Sequence, residues 1–177
     1  CHSFTKHSYL VKSAGELPRV IKEAFHIAAT GRPGPVLIDV PQDVQEQTVE
    51  SFSYPERAEI RGYKPNTSGH PLQIKRAAQA LERAQRPVII CGGGVVSAGA
   101  REEMMAFSRK TGIPAVATMM GLGVFPGQPQ FMGKKNPVYL GMIGRYGRSC
   151  ANRAVKEADL ILLCGARVGD RAIAVPH

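Results

Sequence analysis

The chain has no tryptophan, and only five Tyr and six Phe among its 177 residues. Proteins that stack nucleic-acid bases interleave aromatic with basic side chains, and that pattern is missing. The formal charge is +9, but the Lys and Arg residues are dispersed as pairs and helix-surface positions. They point to a basic surface facing anionic cofactors or an acidic partner subunit, and no nucleic acid is expected. No run approaches the ~18 apolar residues of a membrane span, and no charged-then-apolar leader opens the chain, so no membrane partner is expected either. The four cysteines, Cys1, Cys91, Cys150 and Cys164, form no CxxC and have no His at ligand spacing. That argues against a metal centre or a disulfide framework and for the reduced thiols of a cytoplasmic protein. HExxH, P-loop and nucleophile-elbow motifs are all absent, and no carboxylate pair stands out. No catalytic residue is therefore assigned, and the isolated His7, His26 and His70 are read as structural. The opening on Cys1 and the unfinished pattern at His177 are read as a segment cut from a longer chain.

What is present is α/β patterning. Ser13 and Glu16 have capping-box spacing with Pro18 in the first turn, and Leu17, Val20, Ile21, Ala24, Phe25 and Ala28 share one helical face that Gly31 ends. Val36 to Val40 then reads as a buried strand. From 42 to 70 the periodicity lapses into polar residues punctuated by Pro55, Gly62, Pro65 and Gly69, the signature of a linker. A stronger pattern follows. It runs through a helix over Ile74 to Ala84, the strand Pro87 to Cys91, a helix capped by Ser97 and ending near Gly112, and a strand over Ile113 to Thr118. A short helix over Ala151 to Glu157 and the strand Leu160 to Cys164 complete it. Strands without alternation, separated by helices, predict a parallel sheet flanked by helices on both faces.

Ligands of open parallel sheets bind beyond the carboxyl ends of strands, where strand order reverses. Three such ends carry suitable residues. Gly92-Gly93-Gly94 lets backbone approach a phosphate or ring, although tight strand-to-helix turns use Gly for steric reasons as often. The others are Thr118 to Gly123 and Gly165-Ala166-Arg167, where a guanidinium just past a strand is placed to meet a pyrophosphate.

These residues also carry a resemblance. The segments TKHSYLV (Thr5 to Val11), LPRVIKEAF (Leu17 to Phe25), GRPGPVLID (Gly31 to Asp39), MGLG (Met120 to Gly123), Leu140-Gly141-Met142 and Ala151-Asn152 are similar to the acetolactate synthase (acetohydroxyacid synthase) large-subunit family of thiamine-diphosphate enzymes. The resemblance implies that residues 1–41 end a pyrimidine-binding domain and 42–70 form the linker. Residues 71–177 are then an incomplete Rossmann-like (DHS-like) central domain. It implies thiamine diphosphate and Mg2+ in the full-length parent, on motifs outside this chain, and FAD with no redox part at the central domain. The flavin would be held by Arg32, Gly93, Thr118, Met119, Met120, Gly121, Leu140, Gly141, Met142, Ile143, Gly165, Ala166, Arg167, Val168 and Gly169. Met142, Asp170 and Arg171 would line the substrate channel. The parent would condense pyruvate, after decarboxylation, with a second 2-oxo acid in branched-chain amino acid biosynthesis. It would do so as a homodimer or tetramer with a regulatory small subunit, and the 177-residue chain alone would be inactive.

Departures cluster at the flavin end. The family's Gly-Met-His-Gly is Gly141-Met142-Ile143-Gly144, its Arg-Phe-Asp-Asp-Arg is Arg167-Val168-Gly169-Asp170-Arg171, and the stretch Gly147 to Cys150 is longer than usual. They leave room for a glyoxylate carboligase or sulfoacetaldehyde acetyltransferase type of enzyme. A non-catalytic nucleotide-binding module is the remaining alternative.

Overall fold

The structure, a computed structural model, describes residues 3–126, 138–167 and 169. The chain divides into two compact units, residues 1–69 and 70–177. Cys1, Val168, Asp170 and Arg171, named above, lie outside the described residues.

In the first unit, β1 (His7–Leu10) and β2 (Val36–Asp39) pair in parallel, with Tyr9 opposite Ile38. Parallel neighbours require a crossover, and α1 (Leu17–Ala29) supplies it, burying Val20, Ala24 and Ile27 along one face. Val20 meets Val11 and Val44 in a small core. The expected capping box does not form. Ala14–Glu16 instead make a 3-10 turn without a side-chain cap, closed by the Glu16 N–H on the Ser13 carbonyl at 3.1 Å. At the other end, Lys6 Nζ donates to the Ile27 and Thr30 carbonyls, two of the acceptors a helix terminus leaves open. Residues of the expected linker are tied to this unit at several points, among them the Gln47 Oε1, which accepts the Ala14 N–H at 2.9 Å. The short α2 (Gln42–Gln45) buries Val44, and the Tyr63 hydroxyl lies 2.9 Å from that of Thr30.

The second unit comprises α3 (Pro71–Arg83), β3 (Pro87–Cys91), α4 (Gly93–Ser97), α5 (Arg101–Thr111), β4 (Ala115–Ala117), β5 (Tyr139–Met142), α6 (Ser149–Glu157) and β6 (Leu160–Cys164). Its sheet is wholly parallel in the order β5-β4-β3-β6. β3 is central: Ile89 and Cys91 enter one core cluster, Val88 and Ile90 another. Burial on both faces is why its sequence shows no alternation, and each large aliphatic side chain so buried contributes about 1.5–3 kcal/mol. β6 reads the same way in sequence but differs in structure. Leu162 and Cys164 pack inward, while Ile161 and Leu163 on its other face stay 39% and 42% exposed, outside the core cluster that covers that face of β3. Helix α3 also packs less than its periodicity predicts: Leu81 reaches the core, but Leu72 and Ile74 are exposed.

Ser97 closes α4 instead of capping the next helix, and α5 starts after Ala100. Gly99, at φ +67°, provides the left-handed break between them. Helix α5 ends where expected, with Gly112 at φ +70° and its N–H on the Ser108 carbonyl at 2.9 Å. No described helix is long and apolar enough to cross a membrane.

Candidate cofactor site at the strand-order reversal

From β3 the chain steps outward to β4 and β5, then returns to lay β6 against the other edge of β3. The reversal therefore falls at the carboxyl ends of β3 and β6, where Cys91 and Cys164 stand side by side. Both thiols are free. Burial pushes the Cys91 thiol up to about 12, with the adjacent Cys164 adding to the shift, and burial raises Cys164 too. Neither is a nucleophile at neutral pH. They fill the core, as their sequence context predicts.

Beyond these residues the two glycine turns press together, backbone on backbone. The Gly92 N–H donates to the Cys164 carbonyl and the Gly94 N–H to the Gly165 carbonyl, both at 2.9 Å. A Cβ on Gly94 would stand 2.6 Å from the Gly165 Cα, and one on Gly165, at φ +58°, 2.5 Å from the Val95 nitrogen. Steric closeness thus accounts for Gly92, Gly94 and Gly165. The Gly94 amide, a candidate phosphate donor from sequence, is already engaged within the fold.

The strand end after β4 joins the same place. The Thr118 N–H donates to the Cys91 carbonyl at 2.9 Å, and Met119–Gly121 form a 3-10 turn. Gly121 is buried over the end of β3, with its would-be Cβ 3.1 Å from the Gly92 Cα, and Gly93 abuts Met120. This turn leaves three apolar side chains in solvent: Met119 and Met120 at 76% exposure and Leu122 at 50%. Consecutive exposed methionines beside a strand-order reversal make an apolar, polarizable surface. Leu122 lies within the Thr118 to Gly123 strand end picked out from sequence, although it is not one of the residues the resemblance assigns to the flavin. Arg167 is exposed at the end of β6 and has no ion-pair partner among the described residues.

The end of β5 contributes differently. The Ile143 N–H donates to the Ala117 carbonyl at 2.9 Å, but the Ile143 side chain is 4% exposed, packed with Val88, Ile90, Val116 and Ala151. Leu140 and Ala166 pack against the same cluster. As side chains, these three serve the core. Gly141 is buried, Met142 is half-buried and belongs to neither cluster of this unit, and a Cβ on Gly169 would meet no atom of the described residues within 4 Å. Arg32 is exposed in the first unit, in the turn between α1 and β2. The structure thus assembles Gly93, Thr118 to Gly121 and Gly165 at one point. Among the described residues, no group of three His, Cys, Asp or Glu could hold a metal ion.

Residues 74–176 match the family described as "Thiamine pyrophosphate enzyme, central domain". The chain is 45% identical to a Methanocaldococcus jannaschii protein named "Probable acetolactate synthase large subunit", over 94% of this chain and 27% of that one. It is 41% identical to the acetolactate synthase large subunits of Corynebacterium glutamicum and Haemophilus influenzae, over 94% of this chain and 25% and 28% of theirs. The chain therefore spans about a quarter of the length of these relatives. Among solved structures, benzoylformate decarboxylase from Polynucleobacter necessarius superposes with a TM-score of 0.68 at 20% identity, over 93% of this chain and 29% of that one.

Proposed function

This chain belongs to the thiamine pyrophosphate enzymes, with their central domain at residues 74–176, and from that premise we propose that it is the central-domain segment of an acetolactate synthase large subunit. The parent reaction releases CO2 from pyruvate and joins the remaining two-carbon unit to a second 2-oxo acid. Thiamine diphosphate with magnesium, when bound, supplies the electron sink for that chemistry.

The residues of this chain serve a second cofactor, FAD. The observation that carries this reading is the strand-order reversal where an exposed apolar surface (Met119, Met120, Leu122) lies beyond β4 and an exposed guanidinium (Arg167), with no ion-pair partner among the described residues, follows β6. The apolar surface suits a flat ring, and a guanidinium suits a diphosphate bidentately. Glycines pack the backbone closely beneath, forming the floor at the strand ends. Arg32 and Met142 are assigned to the same flavin, and Val168, Asp170 and Arg171 to the cofactor and channel as in the sequence reading. Homodimers or tetramers and a regulatory small subunit are proposed for the parent.

Titration of the chain with FAD, followed by flavin fluorescence, tests the assignment. Arg167→Ala should weaken binding about tenfold or more, the scale of one charge-assisted contact, and equal affinity in both removes Arg167 from the site. The chain alone should form no acetolactate with thiamine diphosphate and magnesium; detecting product would overturn that expectation. A second reading, a glyoxylate carboligase or sulfoacetaldehyde acetyltransferase type, is favoured by one feature. Position 143, His in the family pattern, is here an Ile committed to the core. Product analysis of the parent with competing acceptors separates the two.

A further inference from the structure

We propose that Asn152 is a positioning residue for the carboxyl-end site, locking the turn between β5 and α6 that carries Met142 and Ile143. The proposal rests on the flavin reading above for the ligand, but on geometry alone for the lock. Asn152 sits in the first turns of α6. Its Oδ1 accepts the Gly144 N–H at 2.9 Å, and its Nδ2 donates to the Gly144 carbonyl at 3.0 Å. One primary amide thus satisfies both polar groups of one residue, as a neighbouring strand would. Gly144 is at φ +102°, a conformation that L side chains rarely adopt.

Three further contacts tighten the same turn. The Gly147 N–H donates to the Gly144 carbonyl at 2.9 Å, and the Arg148 N–H to the Met142 carbonyl at 2.8 Å. A Cβ on Gly147 would lie 2.5 Å from the Met142 carbonyl oxygen, so only glycine permits that approach. The turn is otherwise exposed, with Arg145, Tyr146 and Arg148 all in solvent. A solvent-facing turn has many conformations to lose, and Asn152 is the side chain that restricts them. Ile143 enters the core one residue before Gly144, so the lock fixes the register in which Met142 leaves β5.

The experiment compares the full-length chain with Asn152→Asp and Asn152→Ala. The Asp variant keeps the acceptor for the Gly144 N–H and loses the donor; Ala loses both. Hydrogen exchange should show the Gly144 amide protected in wild type and Asp, and exchanging at least about tenfold faster in Ala, the scale of one lost hydrogen bond. Trypsin should cut after Arg145 and Arg148 in the order wild type, Asp, Ala, with cleavage elsewhere unchanged. FAD affinity should fall in the same order, with Asp intermediate. Unchanged exchange and cleavage in Ala would overturn the lock. A loosened turn with undiminished FAD affinity would leave Asn152 merely structural and overturn its positioning role. If wild type takes up no FAD, the flavin reading fails, and the ligand-free measurements still decide whether Asn152 holds the turn.

Discussion

Replacing Gly165 by Ala probes the contact on which the strand-order reversal depends. Gly165 lies at φ +58°, and a Cβ there would stand 2.5 Å from the Val95 nitrogen and 2.7 Å from the Gly94 Cα. These are backbone atoms on a short helix that cannot swing aside as a side-chain tip would. The left-handed conformation alone costs Ala about 1–2 kcal/mol. Overpacking against rigid neighbours adds about 1–3 kcal/mol. Separating the turns also weakens the Gly94 N–H to Gly165 carbonyl bond of 2.9 Å, worth about 1 kcal/mol net. The expected loss is about 3–6 kcal/mol, a large share of the ~5–15 kcal/mol that holds a domain folded. Gly112→Ala is the control: φ is similar at +70°, but nothing lies within 4 Å of its would-be Cβ, so only the conformational cost of about 1–2 kcal/mol applies. Urea unfolding should place the Gly165→Ala midpoint about 1 M or more below that of Gly112→Ala, with slopes unchanged. Equal midpoints would refute the close apposition of the two turns.

Two predictions concern pH. Tyr9 donates to the buried Glu23 carboxylate at 3.0 Å, which also accepts from Arg19 at 2.9 Å; burial, then the bond to Glu23, push the Tyr9 phenol up to about 12. Because the folded value is raised, this stabilisation is complete below about 10 and lost as pH rises from there to about 12; Tyr9→Phe should remove that alkaline loss and cost about 1 kcal/mol at neutral pH by urea unfolding. Asp159 accepts the Gln85 and Arg86 N–H groups at 2.7 and 2.9 Å, and those bonds, Gln85's first, hold its carboxyl below the usual range. Its contribution is present above the ordinary carboxylate range and lost as pH falls through the depressed value; Asp159→Asn should lower thermal stability at neutral pH and flatten the acid limb of a melting-temperature profile.

How much of this was legible beforehand depended on how local each cause is. The apolar face of α1 and the unbroken runs of β3 and β6 belong to single elements, so periodicity finds them. The left-handed stop at Gly112 is equally local. Ser13 and Ser97 fit cap patterns, but whether a hydroxyl reaches an amide depends on a turn geometry those patterns do not contain. The exposed faces of β6 and α3 are not legible this way, because apolar residues show that a side chain can be buried without showing what covers it. The roles of Gly94 and Asn152 were least accessible. Gly94's amide is taken by Gly165, some seventy residues later in the chain, and Asn152 acts through the conformation of Gly144. Both are facts of tertiary contact.

The engagement of Gly94 shifts where cofactor recognition must reside on the flavin reading. In a backbone nest, free amides bind a phosphate whatever side chains surround it. Here amides of the first glycine turn hold the second turn in place, so the backbone shapes the floor while side chains supply the contacts. Met119, Met120, Leu122 and Arg167 stand free of the core, whereas Ile143, Leu140 and Ala166 are committed to it. A substitution among the first group can alter ligand preference at little cost in stability; one in the second costs packing first. Exchanging Met120 for a polar residue should therefore weaken flavin binding with the unfolding midpoint unchanged. Ile143→Ala should lower stability by about 2–5 kcal/mol, and that contrast separates the two groups by measurement.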